Sequence, residues 1–216
     1  MERETSLVDA RAIMGANIIG PEELLGFTDK TCFKNIDELK ARIPVIPFER
    51  EILIKNAETF ILILGIPFCK DGTPLSLIKM RSFFGIDPNV SEPCFYNQDW
   101  YLNEAFVNTC KIDFKWYLVK KALIKESRGQ NPELILNNLN DFPTALLTAY
   151  TFFCWYFHTL GELLWQYDYI WCSDVDHNSD RVYTGRYIDK EGTNKNGFSI
   201  HRHLKLSEKY GAIEFR

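Results

Sequence analysis

The stretch FPTALLTAYTFFCWYFHTLG, residues 142–161, contains no formally charged side chain over 20 consecutive residues. A helix of that length can span a bilayer. His158, four threonines and the immediately following Glu162 argue against a membrane span, and no positive cluster flanks either end. A helix that is apolar on all sides is also typical of the centre of a large domain. We therefore predict a long buried helix near residues 142–165.

The sequence changes its period after this helix. Three segments rich in β-branched and aromatic residues follow, YDYIWCSD, RVYTGRYID and FSIHRHLKL. The intervening VDHNSD and KEGTNKNG consist largely of turn-forming residues. This pattern predicts a C-terminal antiparallel three-stranded meander, with the long helix packed across it.

The region before the helix predicts short helices with one or two strands. FILILGIPF is a continuous apolar run bounded by Gly65 and Pro67, as in a buried strand. All nine prolines lie at or before Pro143, and all four histidines lie at or after His158. A subdivision near residue 140 is therefore conceivable, but no linker is visible. We predict one α+β domain over residues 1–216.

The composition restricts the partners and the cellular compartment that we expect for this protein. The chain has 216 residues, a net charge of −4 and a pI near 5.6, so it lacks the cationic excess that a phosphate backbone requires. Its six cysteines form no C-x-x-C pair, and its first residues lack the apolar core of a signal peptide. We expect a soluble cytoplasmic protein with reduced thiols, without a nucleic-acid or membrane partner.

The acidic segment DVDHNSD, residues 174–180, has two interpretations. Its oxygen-bearing residues have the spacing of a calcium loop: Asp174, Asp176, Asn178 and Asp180. Ser179 replaces the glycine of that loop, and Gly185 replaces its bidentate glutamate, which excludes an EF-hand. The favoured interpretation is a hairpin turn whose side chains bond their own backbone. The alternative is a looser cation site.

Histidines and carboxylates also cluster in the last third of the sequence. The H-x-H pair places two imidazoles on one face of a strand, and His158 and Glu162 are one helical turn apart. These residues can build a divalent-metal centre in which Glu162 and His158 act on a bound water. The predicted metal ligands are His201, His203, Asp174 and Asp176. The alternative is a solvent-exposed strand face.

An aromatic segment is the third candidate site. FYNQDWYLNEAF, residues 95–106, combines rings with amide and carboxyl groups. Such a composition can line a pocket for a small polar ligand, and it also occurs in half-buried loops. We predict Tyr96, Trp100 and Tyr101 as ligand-binding residues.

Two functions remain open. We favour a non-catalytic protein that binds a small polar ligand or a protein partner, because no catalytic motif is complete. The alternative is a metal-dependent hydrolase centred on the histidines and carboxylates of the last third.

Overall fold

The chain contains seven α-helices and seven β-strands in the part that the structure describes. The computed structural model describes residues 4–39, 42–137, 139, 141–188, 196–202 and 205–216. The helices are α1 (Leu7–Met14), α2 (Pro21–Gly26), α3 (Arg50–Asn56), α4 (Leu77–Phe84), α5 (Phe106–Thr109), α6 (Pro132–Ile135) and α7 (Ala145–His158). The strands are β1 (Ile18–Ile19), β2 (Phe60–Leu64), β3 (Trp116–Lys120), β4 (Tyr169–Val175), β5 (Arg181–Tyr187), β6 (Gly197–His201) and β7 (Tyr210–Gly211). The predicted α+β class is confirmed.

The first sheet has the strand order β1-β2-β3. β2 pairs parallel to β1 and antiparallel to β3, and all five of its residues are buried. The end of the chain extends this sheet, because Leu118 and Arg216 exchange two backbone hydrogen bonds of 3.0 and 3.1 Å. The aliphatic run of β2 therefore lies in the middle of a buried sheet, as its composition predicts.

The second sheet has the strand order β6-β5-β4-β7. β4, β5 and β6 pair antiparallel in succession, which confirms the predicted meander. β7 is an additional short strand that pairs parallel to β4. The sequence did not predict β7, because two residues are too few to establish a period.

Helix α7 contacts both sheets. The Tyr150 hydroxyl donates a 2.8 Å hydrogen bond to the Leu64 carbonyl of the first sheet, and Thr148 accepts one of 2.9 Å from Thr184 of the second. Eleven of its fourteen residues are buried. This position explains the absence of charge and confirms the buried helix, although its bounds are shorter than the predicted 142–165. Among the described residues, no helix has the length and hydrophobicity that crossing a membrane requires.

The two faces of the second sheet differ in what they contact. Phe198, Ile200 and Val182 belong to the same hydrophobic cluster as α7 and the first sheet. The opposite face forms a separate cluster that includes Trp171 and Tyr183. We call this second surface the aromatic face; its residues are Tyr169, Trp171, Tyr183, Tyr187, His201 and Tyr210. It carries the candidate site.

Candidate functional site

The aromatic segment of residues 95–106 lies along β6. The Tyr96 N–H donates to the Phe198 carbonyl at 2.8 Å, and the Phe198 N–H donates to the Cys94 carbonyl at 2.9 Å. The Trp100 indole N–H adds a 3.0 Å hydrogen bond to the Ile200 carbonyl. Backbone pairing therefore brings the predicted aromatic loop beside the strand that contains the H-x-H motif.

His201 lies within the aromatic face. It pairs in register with Tyr183, whose ring stacks on the imidazole at a centroid distance of 5.7 Å. The rings of Tyr169 and Tyr96 lie 5.5 and 6.4 Å from the imidazole. The Gln98 amide nitrogen is 3.1 Å from His201 Nδ1. Strand β6 thus carries an imidazole that three rings and one amide surround.

Burial determines the charge of this imidazole. It lowers the pKa of His201 to about 4, so the ring is neutral at pH 7. When the Gln98 amide nitrogen donates to Nδ1, the ring proton is assigned to Nε2. His201 Nε2 and Gln98 Oε1 are both buried, and neither has a hydrogen-bond partner among the described residues. One donor and one acceptor therefore remain available, and exchanging the two ends of the amide preserves that count.

The three aromatic residues predicted to bind a ligand occupy different environments. Tyr96 is half-buried beside His201, and its ring lies 4.6 Å from that of Tyr187. Trp100 is half-buried beneath the Arg202 guanidinium, 4.4 Å from its ring centroid. Tyr101 is 1% exposed and belongs to the core, where burial raises its pKa to about 12. Of the three, Tyr96 is the one whose ring contacts His201.

A charged group lies next to the aromatic loop. The carboxylate of Glu104 accepts the His177 backbone N–H at 2.9 Å and lies 2.6 Å from His177 Nδ1. Arg202 reaches the same carboxylate at 3.4 Å and forms a close hydrogen bond with Asp176. One potential ligand atom from each of Glu104, Asp176 and His177 lies within 4.8 Å of the other two. These donor types suit a divalent cation, but the Arg202 guanidinium already offsets the charge of both carboxylates.

Asp176 also organises the hairpin turn between β4 and β5. One of its oxygens accepts the backbone N–H groups of Asn178 and Asp180 at 2.8 and 2.9 Å. Burial acts to raise the pKa of Asp176, but hydrogen bonds from Asp180 N–H, Arg202 and Asn178 N–H outweigh it and lower the pKa. The geometry of this residue matches the turn interpretation of the acidic segment.

Asp174 has different partners. Its buried carboxylate accepts the backbone N–H of Ala145 and a hydrogen bond from the Cys110 thiol, each at 2.5 Å. Burial raises the pKa of this carboxyl. Ala145 is the first residue of α7, so Asp174 places a carboxylate at the N-terminus of that helix, where the helix dipole favours it. Both of its oxygens are therefore occupied by contacts within the fold.

The two predicted catalytic residues lie at the other end of α7. His158 is the last residue of the helix, and its Nε2 is 2.9 Å from the Ala16 carbonyl. Glu162 is exposed beyond the helix, where its backbone N–H bonds the Thr159 hydroxyl. Fourteen residues at about 1.5 Å each separate this end from Asp174 by about 20 Å. The structure does not bring His158 and Glu162 together with Asp174, and the predicted ligand His203 lies outside the described residues.

Four residues of this region were not singled out as site residues from the sequence. They are Gln98, Glu104, His177 and Arg202. Two of them lie within the aromatic segment, and Arg202 lies between the two histidines of the H-x-H motif. The structure pairs Arg202 with two carboxylates, those of Glu104 and Asp176. The contacts that these residues make could not be predicted from the local sequence, because they join positions 26 to 103 residues apart.

We compared the chain with family models, curated proteins and solved structures. No family model matches the chain, and neither a curated protein nor a solved structure matches it significantly.

Proposed function

We propose that this protein is a non-catalytic binding protein for a small, planar, polar molecule that docks at the aromatic face beside His201. The expected ligand carries a hydrogen-bond donor next to an acceptor, as an amide or a nucleobase does. A neutral imidazole and an amide can satisfy such an edge without a charge on either partner.

The observation that carries the proposal is the pair of buried atoms His201 Nε2 and Gln98 Oε1. A buried polar atom without a hydrogen bond costs about 1–3 kcal/mol, and these two atoms belong to side chains that contact each other. A ligand that bonds both atoms recovers that free energy on binding. The adjacent rings of Tyr96, Tyr169 and Tyr183 supply flat apolar surfaces for a planar molecule.

The burial of these two atoms favours a small molecule over a protein partner. A protein surface reaches exposed atoms, whereas each of these has almost no accessible surface. Tyr96 and Tyr187 are half-buried and lie at the outer edge of the group. We place the entrance between these two rings, which have to separate to admit the ligand.

The test is a titration with adenine and with nicotinamide, followed by NMR shifts of the backbone amides. We expect saturable shifts centred on residues 96–98 and 199–201 with at least one of the two compounds. Toluene has a flat ring without the donor and acceptor, and we expect it to bind at least about tenfold more weakly, the equivalent of one hydrogen bond.

The matched variant is His201→Phe, which retains an aromatic ring and removes both nitrogens. It should lose affinity for the bound compound by about tenfold or more while the protein stays folded. Equal affinity in the variant, or shifts that centre on other residues, would remove the basis of the proposal.

A second candidate, a metal-dependent hydrolase, has one observation in its favour. Glu104, Asp176 and His177 present carboxylate and imidazole ligands within 4.8 Å of one another. We rank it second because Arg202 occupies both carboxylates, and a divalent cation would have to displace that side chain. His158 and Glu162 have no part in this version of the site.

We also propose a cytoplasmic location. Its support is the set of six free cysteines, five of them buried, which fits a reducing compartment. Fractionation of cells that express the tagged chain tests it, and recovery with membranes or in the medium would contradict it.

A further inference from the structure

A concave pocket lies on the first sheet, apart from the aromatic face. It is bordered by the end of α3, the start of β2, the end of β3 and the last residues of the chain. The cavity has a volume of about 400 Å³. Its lining residues are Ile52, Lys55, Asn56, Thr59, Phe60, Lys120, Glu214 and Arg216.

The pocket concentrates positive charge in a chain whose net charge is −4. Three cationic side chains line it, Lys55, Lys120 and Arg216, against the single carboxylate of Glu214. Lys120 Nζ lies 3.0 Å from that carboxylate, and Arg216 lies 4.0 Å from it. The lining therefore has more cationic side chains than anionic ones.

Lys55 contributes a charge that the fold does not use. Among the described residues it has no ion-pair partner, whereas Lys120 is paired with Glu214. The Lys55 side chain is exposed at the last turn of α3. Thr59 is exposed and also lines the pocket. An ammonium and a hydroxyl are thus available to an incoming group.

We propose that this pocket binds a small phosphorylated molecule, with the phosphate between Lys55 and Arg216. A phosphate monoester carries a charge of about −1.5 to −2 at pH 7, which suits a lining with more cationic than anionic side chains. Lysine binds phosphate as a point charge, and arginine adds a planar set of donors. A volume of about 400 Å³ suits a small molecule, which favours a free metabolite over a phosphorylated protein surface.

The experiment is isothermal titration of the intact chain with ribose 5-phosphate, at constant ionic strength set with sodium chloride. We expect saturable one-to-one binding of ribose 5-phosphate and no binding of ribose. Inorganic phosphate should compete with the sugar phosphate. Absence of saturable binding by ribose 5-phosphate and inorganic phosphate alike would overturn the proposal.

The variants locate the binding. Lys55→Met with Arg216→Met should weaken ribose 5-phosphate by at least about tenfold, because two charged contacts are lost. Lys125→Met removes an equally exposed lysine elsewhere and should leave affinity unchanged. If the double variant fails to fold, Lys55→Met alone serves, with an expected loss of about threefold to fivefold. Full affinity in the Lys55 variant, or equal losses in the Lys125 variant, would refute the site.

Discussion

The two sheets of this protein use buried surface in different ways. In the first sheet, β2 is an aliphatic strand with every residue buried, and its central residues Ile61, Leu62 and Ile63 are 0% exposed. The second sheet buries aliphatic and aromatic residues against α7 but turns tyrosines and one histidine to its other face. In the first sheet the Trp116 indole N–H donates to the Pro44 carbonyl at 2.9 Å, so this buried polar atom is satisfied within the fold. The second retains buried polar atoms that packing does not satisfy.

This difference separates stability from binding. Aliphatic side chains stabilise a fold through area and close packing, and they offer a ligand no directional contacts. Rings with polar neighbours give up some of that stability and offer hydrogen bonds of defined geometry. We therefore expect damage to the first sheet to change stability alone, and damage to the aromatic face to change binding more than stability.

The largest expected effect is in the first sheet. Leu62→Ala leaves a cavity in a strand that is buried on both faces, and it should lower the free energy of unfolding by about 3 kcal/mol. Urea denaturation measures this. Ligand binding at His201 should not change in the folded fraction. Tyr187→Leu, at the half-buried edge of the aromatic face, should weaken ligand binding and change the free energy of unfolding less. Similar behaviour of the two variants would contradict the proposed difference between the two sheets.

The second effect is a pH dependence that originates in the aromatic face. An unfolded chain protonates its histidine near pH 6.5, whereas folded His201 stays neutral down to about pH 4. This contribution to stability is complete above pH 6.5 and is lost as the pH falls towards 4, by at most about 3 kcal/mol. His201→Gln should remove that part of the pH profile in urea denaturation from pH 7 to 4. Parallel profiles for the two proteins would mean that the imidazole is not buried.

A smaller effect is expected where α7 meets the second sheet. Asp174→Ala leaves the Ala145 N–H and the Cys110 thiol without their acceptor, and it should lower the free energy of unfolding by about 2 kcal/mol. Asp29→Ala, at an exposed position, should change it by less than about 0.5 kcal/mol. Equal values for the two variants would show that the carboxylate does not cap the helix.

The smallest effect concerns metal. Arg202→Ala exposes the carboxylates of Glu104 and Asp176, so Mn²⁺ at several times its Kd should stabilise this variant by about 1 kcal/mol. The original protein should show no such shift in a thermal melt, and a further His177→Ala change should abolish it in the variant. Stoichiometric Mn²⁺ in the original protein would instead raise the hydrolase above the binding protein.

Local sequence patterns predicted the buried helix α7 and the C-terminal meander. The uncharged run of residues 142–161 predicted the buried helix, and the alternation after it predicted the meander, because burial of a helix or strand imposes a period on adjacent residues. The spacing of Asp174, Asp176, Asn178 and Asp180 favoured a hairpin turn and left a cation site as the alternative. An aspartate whose carboxylate accepts backbone N–H groups of its own turn and an aspartate that binds a cation can occur in the same local sequence.

The fold class, the aromatic richness and the position of α7 can be read from the sequence, since each depends on neighbouring residues. Which polar groups meet depends on the tertiary structure. His201 and Gln98 are 103 residues apart, and Glu104 and His177 are 73 apart. Pairing of the aromatic loop with β6 brings Gln98 to His201. The hairpin turn between β4 and β5 positions His177 for its contact with Glu104. Strand register and the course of the backbone determine such distances, and a local sequence pattern does not predict them.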